Sequence, residues 1–546
     1  MANRTLASVF LVAFGVATAL AASPFKSLGA PHAGEVSLLN GIADQGFNHS
    51  ELSQNAEYLT DQIGGRMTNS PAMRKAERWA QDRFRAYGLK EVHTEGFEFG
   101  RGWWIESSHV RLLNPRPLEL KGIPIAWTPP TNGNLTAEIV VAPMAKDKDF
   151  AEWHGKLTGK IVLVSFPAPP KDTENVPFVR LTDADIIKKE RFVEPTFDPE
   201  ARARNIEHFR FRAKLDAFLA QEGALAQVLM SRTEGRLVHG EGYLYKSGQT
   251  AKLPAVELAA EDYRKLARLA KLGPVKLEIA NNVHFDDSDP NAYNVFGEIP
   301  GEGGRGDYVM VGAHLDSWVA ADGAADNGAG SLVVLEAARI LSTLRLQPRR
   351  TIRFALWSGE EQGLLGSAAY VDKHLAHRPP FSDPSMADLP PSFYTDSYPV
   401  QVLPGMADLD AYFNLDNGSG KIRGIYTEGN LAVVPTFREW LSPFAGMSAN
   451  SIVAEPTFGT DHVYLSRLGL PAFQFIQDPL DYETRVHHTD LDTYDHLRFE
   501  DLREAAVIMA TVVFEAAQAE KPLARKPVPT QPTPTDPFEY VDPATR

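Results

Sequence analysis

A chain of 546 residues with 70 acidic and 55 basic side chains carries a formal charge of −15 and no cysteine. That length implies two or three domains, and the acidic balance, without any basic block, excludes nonspecific nucleic-acid binding, which needs clustered lysine and arginine against phosphate. The lack of cysteine excludes disulfides, thiolate metal ligands and a lipidated cysteine, leaving His, Asp and Glu as the available metal-binding side chains.

Residues 1–22 read as a secretory signal, with Arg4 in a short leading region, an apolar run over residues 9–20, and Ala19-Leu20-Ala21 as a small-x-small cleavage site. The run is about 12 residues, short of the roughly 20 that span a bilayer, so cleavage is expected rather than an anchor, with export to a periplasm or the medium. No second span is expected. Residues 23–34 read as a disordered lead. Over residues 51–88 the spacing of Leu59, Ile63, Ala76, Trp79, Ala80, Phe84 and Tyr87 predicts two amphipathic helices ending at Gly88. Ser70 is the expected N-cap of the second and Pro71 its first residue. Residues 92–104, VHTEGFEFGRGWW, alternate like one strand, and Trp103 and Trp104 are expected to serve packing.

From about residue 108 to 284 prolines are frequent and short β-runs alternate with turns, which predicts a separate β-rich module, bounded at 111–284. Its strands are expected within 159–167 and 223–231, with a strand leading into a helix over 253–269. The charged stretch 186–214 reads as a solvated helical face in preference to a surface steering an acidic ligand. From Asn291 onward strands and helices alternate, which predicts an α/β fold, a three-layer α/β/α sandwich with a mixed, mostly parallel sheet, built from residues 35–110 and 285–520. Within it, strands are expected over 308–313, 351–357, 409–415 and 470–476, and helices over 363–375, 433–441 and 502–518. The helix over 328–344 carries Val333, Val334, Ala337, Ile340, Leu341 and Leu344 as one stripe and is expected to be amphipathic. Residues 378–404 form a proline-rich excursion long enough to be a functional loop, and residues 521–546 an extended proline-rich tail.

The chemistry concentrates at strand ends. The run over 308–313 delivers His314 and Asp316, and a turn of small residues delivers Asp326 just before a helix, the layout of a metal site in an open α/β sheet. A lone HxD motif is more often a solvated loop. Here, however, later strand ends add Glu360 and Glu361, Asp416 and His488, giving the five-ligand set that two zinc ions sharing a bridging carboxylate require. Adjacent side chains point to different sides, so one of Glu360 and Glu361 can ligate while its neighbour takes a proton from acidified water and passes it to a leaving amine. His487 competes with His488 for the ligand role. Asp316 suits accepting the imidazole N–H of His314, or is a solvated carboxylate.

The blocks GAHLDSW, GAADNGAG, WSGEEQGLLGS, FNLDN, FGTDH and HHTDLDTYD resemble, in order and spacing, the co-catalytic zinc exopeptidase family that includes secreted aminopeptidases, carboxypeptidase Q and glutamate carboxypeptidase. The middle module more weakly resembles the protease-associated insert of many members. The resemblance implies two Zn2+ ions per chain: His314 and Asp416 on one, Glu361 and His488 rather than His487 on the other, Asp326 between them. Which ion takes Asp416 and which Glu361 stays open. It further implies Glu360 as general base and Asp316 as the carboxylate supporting the His314 imidazole, while Phe458, Thr460, Asp461 and His462 either line the substrate pocket or are structural. Departures from the pattern are threonine where serine is common before Asp461 and the long loop before Asp416, which leave subsite preference open. The implied protein is an exported exopeptidase acting on short peptides, most simply an aminopeptidase, with no nucleic-acid partner, no membrane span after signal cleavage, and homodimerisation allowed. Alternatives are a carboxypeptidase Q-like dipeptidase, a glutaminyl cyclase-like acyltransferase, and a noncatalytic binding protein, the last of which predicts lost ligands where none is lost.

Overall fold

The structure is a computed structural model, and it describes residues 33–170, 178–191, 200–242, 250–302, 306–381, 383–389, 393 and 397–531. The expected signal and the end of the proline-rich tail lie outside the described residues. Two eight-stranded sheets organise the chain. Across the first, the order is Lys90–Glu98, Asn291–Ile299, Thr351–Trp357, Tyr308–His314, Leu409–Asn414, Ala472–Gln477, Ile422–Tyr426, Ser451–Val453. Its centre is parallel: Tyr308–His314 pairs in parallel with Thr351–Trp357 on one side and Leu409–Asn414 on the other, and the latter with Ala472–Gln477. Antiparallel pairs flank that centre.

The central strands Tyr308–His314, Leu409–Asn414 and Ala472–Gln477 are buried along their whole length, which requires cover on both faces. Period-two alternation divides them: Val309 and Val311 join a core with helices Pro71–Ala86, Ala329–Thr343 and Phe499–Gln518, while Tyr308 and Met310 face Leu365–His374 and His462–Ser466. This is the expected α/β sandwich. Two short strands, Ile422–Tyr426 and Ser451–Val453, escape the hydrophobic pattern, the first broken by Gly424 at φ 157° and the second only three residues long.

The helix Ala329–Thr343 departs from the expected amphipathic stripe. Every residue from Ala329 to Leu341 is buried, Glu336 and Arg339 included. Helices Ala33–Asn48, Pro71–Ala86 and Phe499–Gln518 all pack against this helix, and Gln45 of the first and Glu51 just after it meet Arg339 and Glu336. Glu336 and Arg339 therefore pair with each other at 2.8 Å, and the Arg339 guanidinium also donates to the side-chain and backbone oxygens of Gln45. The second predicted helix holds: Ser70 caps Pro71–Ala86, its hydroxyl accepting from Met73 N–H at 3.2 Å, and Pro71 opens the first turn.

The expected single strand over 92–104 is two strands in different sheets, Lys90–Glu98 in the first and Gly102–Leu112 in the second. The second sheet thus begins ahead of residue 111, and its strand Lys276–Asp286 leads back into Asn291–Ile299. Trp103 packs the crossover with Met67, Phe99, Trp127 and Trp318, its indole N–H donating to the Thr128 carbonyl at 3.1 Å. Trp104 stacks on His284. In the charged stretch, helix Ala201–Gln221 buries Phe211, Leu215 and Phe218 against the second sheet, while Arg210 pairs with Asp388 and Lys214 with Asp147. Among the described residues no helix is long and apolar enough to cross a membrane.

Gly330 opens the helix that follows the Asp326 turn, and a Cβ there would overlap the Leu415 carbonyl oxygen and the Asn327 side chain. Gly330→Ala is therefore expected to push the helix from the end of strand Leu409–Asn414 and destabilise the chain by about 1–3 kcal/mol, read as a lower denaturant midpoint. An unchanged midpoint would show that this contact does not hold the helix in place.

Candidate metal centre

Parallel neighbours end at one edge of the sheet, so residues just past them meet without any long loop. His314 is the last residue of its strand and pairs in register with Trp357; Glu360 and Glu361 follow Trp357 by one turn, and Asp416 follows Asn414, which pairs with Gly312. Asp326 comes from the turn ahead of Ala329–Thr343. His488 follows the short helical turn Tyr482–Val486, with a left-handed backbone at φ 60°.

All five expected ligands and Glu360 converge. His314 Nε2 lies 3.4 Å from one oxygen of Asp326, 3.5 Å from Asp416 and 3.8 Å from Glu360. His488 Nε2 lies 3.3 Å from the other oxygen of Asp326 and 3.0 Å from Glu361. Asp326 therefore turns one oxygen to each histidine. His487 is the more distant neighbour, 3.7 Å from Asp326, with its ring against that of His488. Two donors on one tetrahedral zinc, each at about 2.0–2.2 Å, stand roughly 3.3–3.6 Å apart, so the separations of Asp326 from both histidines and of Asp416 from His314 match shared coordination. Consistently, His314 Nε2, Asp326 Oδ2 and Glu361 Oε1 are buried without a hydrogen-bond partner. A buried polar atom in that condition is costly, and a cation among the three relieves it. The adjacent carboxylates do separate, Glu360 toward His314 and Glu361 toward His488.

Asp316 does not act as expected on His314. The imidazole Nδ1 is 3.0 Å from the Asp316 backbone carbonyl and 3.7 Å from its carboxylate. The carboxylate instead accepts the backbone N–H groups of Glu360 and Glu361, each at 3.3 Å, and the Thr68 hydroxyl at 3.0 Å, which orients the two-glutamate turn. Three further braces carried no sequence signal of their own. Arg66, wholly buried, donates to the carbonyls of Leu315, Asp322 and Gly323 at 2.5–2.7 Å and so ties the His314 loop to the Asp326 turn. Asp492 accepts from the backbone N–H groups of Ala325 and Asp326 at 2.5 and 3.0 Å. Glu241, from the second sheet's side, accepts from His488 Nδ1 at 2.5 Å. Of these, only Asp492 falls inside a quoted motif, HHTDLDTYD.

Of the residues around FGTDH, Phe458 is exposed and sits under the Arg467 guanidinium. His462 is buried against Thr457 and Glu428, and Thr460 accepts from Asn414, both structural placements. Asp461 differs: Ser367 donates to one oxygen at 2.6 Å and the other has no hydrogen-bond partner, and burial raises its carboxyl to about 7.

Electrostatically the cluster is dominated by buried carboxylates. Burial raises Glu361 to about 8, with Asp326 adding to the rise and His488 opposing it. Burial likewise holds Glu360 well above the usual carboxylate range, against the pull of His314 and with repulsion from Asp416, Asp461 and Glu361. Burial opposes the charged form of both histidines, yet the carboxylates, Glu360 and Asp416 around His314 and Glu361 around His488, raise both well above ordinary imidazole. Burial also lifts Asp492 to about 7 and lowers Arg66 to about 10.

Residues 294–513 match the family model "Peptidase family M28". The chain is similar to carboxypeptidase Q of Xenopus laevis, 27% identical over 334 residues, which are 59% of this chain and 62% of that one. It thus spans about three-fifths of that relative's length. The fold is that of a peptidase M28 precursor from Shewanella amazonensis, TM-score 0.63 at 22% identity, covering 90% of this chain and 98% of that one. It is also that of a zinc aminopeptidase from Bacillus subtilis, TM-score 0.55 at 21% identity, covering 86% and 95%.

Ligands must be deprotonated to bind metal, and in the metal-free chain burial and mutual repulsion favour protons on Glu360 and Glu361 while the surrounding carboxylates favour them on both histidines. Zinc uptake is therefore expected to release protons, and zinc affinity to rise as pH goes from about 6 to about 8. Calorimetric titration in buffers of different ionisation enthalpy reads the proton count. A pH-independent affinity with no proton release would place the bound zinc elsewhere.

Proposed function

We propose that the chain, whose residues 294–513 match the M28 peptidase model, belongs to the co-catalytic zinc exopeptidases and is an exported, zinc-dependent exopeptidase acting on short peptides, an aminopeptidase in the first instance, with two zinc ions per chain. The observation that carries the reading is the meeting of His314, Asp326, Glu361, Asp416 and His488 with Glu360 beside them. His314 and Asp416 would hold one ion, Glu361 and His488 the other, and Asp326 both. A donor set of imidazoles and carboxylates suits zinc. Bound there, zinc supplies Lewis acidity, polarising the scissile carbonyl and acidifying water.

The remaining steps fall to the chain's own side chains. Glu360 takes the proton of the attacking water on its carboxylate and delivers it to the leaving amine; burial, which raises its affinity for a proton, suits it to that shuttle. Asp316 braces the turn that carries Glu360 and Glu361 by accepting both backbone N–H groups, and in that capacity is a positioning residue. Trp318, Asp326, Glu361 and His488 line a small cleft on the His488 side. A second reading, a dipeptidase like carboxypeptidase Q, is favoured by the sequence similarity to that protein.

Glu360→Ala is expected to fold, to keep its zinc and to lose at least about a thousandfold in turnover, since base and metal act as one unit. Near-normal turnover in that variant would refute the mechanism. Aminoacyl anilides, unblocked dipeptides and N-blocked peptides compared on the wild-type chain separate the readings: turnover of anilides supports the aminopeptidase, turnover of free dipeptides alone the dipeptidase.

A further inference from the structure

The two histidines are supported differently. His314 finds its Nδ1 partner in its own loop, the Asp316 carbonyl. His488 finds its partner in a remote part of the chain, Glu241, which lies between strands Ala226–Met230 and Ala255–Leu258 of the second sheet. Glu241 is buried, and Arg232 grips both of its oxygens at 2.6 and 2.9 Å. Its backbone is fixed as well: the N–H groups of His239 and Gly240 donate to Glu257 of Ala255–Leu258 at 3.0 and 3.3 Å, and the Gly240 carbonyl accepts from Ala126. Two residues past His488, Asp490 exchanges hydrogen bonds with Val238, backbone N–H to carbonyl and carboxylate to backbone N–H, each at 3.1 Å, and Lys121 pairs with its carboxylate at 2.5 Å. The segment bearing His488 is thus laid against the second sheet.

The geometry points to Glu241 as a positioning residue for the metal centre, a carboxylate supplied by the second sheet that fixes the tautomer and ring plane of His488. A neutral imidazole carries one N–H. A carboxylate at Nδ1 holds the hydrogen there, which leaves the Nε2 lone pair facing Asp326 and Glu361, and it makes that nitrogen a stronger donor. Arg232 keeps the carboxylate from rotating away. One half of the centre therefore depends on the second sheet and the other half does not. The inference rests on His488 being a zinc ligand.

The test uses the full-length chain and zinc alone. Zinc content and affinity are measured by chelator competition for Glu241→Ala, Glu241→Gln and His488→Ala, beside the visible spectrum of the cobalt-loaded proteins. Glu241→Ala is expected to weaken one zinc by about 10- to 100-fold and leave the other unchanged. Glu241→Gln, whose amide oxygen still accepts the Nδ1 hydrogen, should lose less than Glu241→Ala, on the order of three- to tenfold at the same zinc. The cobalt bands should shift in the same order. Wild-type affinity for both zincs with an unshifted spectrum, in whichever Glu241 variant folds, overturns the inference while leaving the zinc reading intact. Retention of both zincs by His488→Ala overturns the zinc reading and this inference together.

Discussion

The structure turns on a concentration of buried negative charge at one edge of a parallel sheet. Asp316, Asp326, Glu360, Asp416, Asp461 and Asp492 are all buried there, and Glu361 faces the same space. The protein cations within reach are Arg66, wholly occupied with carbonyl oxygens, and histidines that gain charge only by taking up protons. Left alone, such a cluster neutralises itself by raising carboxylate proton affinities, as Glu360 and Glu361 show. Bound divalent cations would resolve the same conflict without protonation and turn the cost of desolvation into a strong local field. Both the folding of the edge and its chemistry thus rest on one electrostatic debt.

Holding unlike demands together requires rigidity, and the supports are chiefly hydrogen bonds to backbone rather than more charge. Arg66 ties the His314 loop to the Asp326 turn through three carbonyls, Asp492 grips the Asp326 turn through two N–H groups, and Asp316 grips the Glu360 turn through two more. Asn327 adds a fourth link, donating to the Leu415 carbonyl beside Asp416. Each side chain fixes the segment next to a donor and leaves the donor's own atoms free. That arrangement explains how His314 Nε2, Asp326 Oδ2 and Glu361 Oε1 come to be buried and unpaired while their backbones are well bonded.

What was legible in the sequence is what local spacing encodes. A strand that ends in a histidine or runs within a few residues into an acid recurs at His314, Glu360 and Asp416, so the fold class and the converging residues could be read from pattern and resemblance. The functions of backbone atoms could not. Asp316 looks like a partner for the His314 ring because it sits two residues away, yet at that spacing its carbonyl takes the ring N–H and its carboxylate swings to the next strand's turn. The helix Ala329–Thr343 reads as amphipathic because Glu336 and Arg339 are charged, and nothing local shows that other helices will bury that pair. Arg66 sits between the two predicted helices, outside any motif, and its partners lie some 250 positions onward.

The same limit explains why composition drew the module boundary where it did. Texture changes near residue 108, but the chain changes sheets at Gly102, where Trp103 enters the apolar cluster between the two sheets. A compositional boundary marks where surface and turn residues change character; a physical boundary marks where the backbone's hydrogen-bond partners change. The second sheet is, moreover, no bystander to the centre. Trp318, two residues past Asp316, packs edge-on against Trp127 of the second sheet's side and tilts toward the His488 ring. With Val238 and Glu241 bonded to the His488 segment, the histidine that arrives last in the chain is the one held by the part of the chain that sequence texture sets apart.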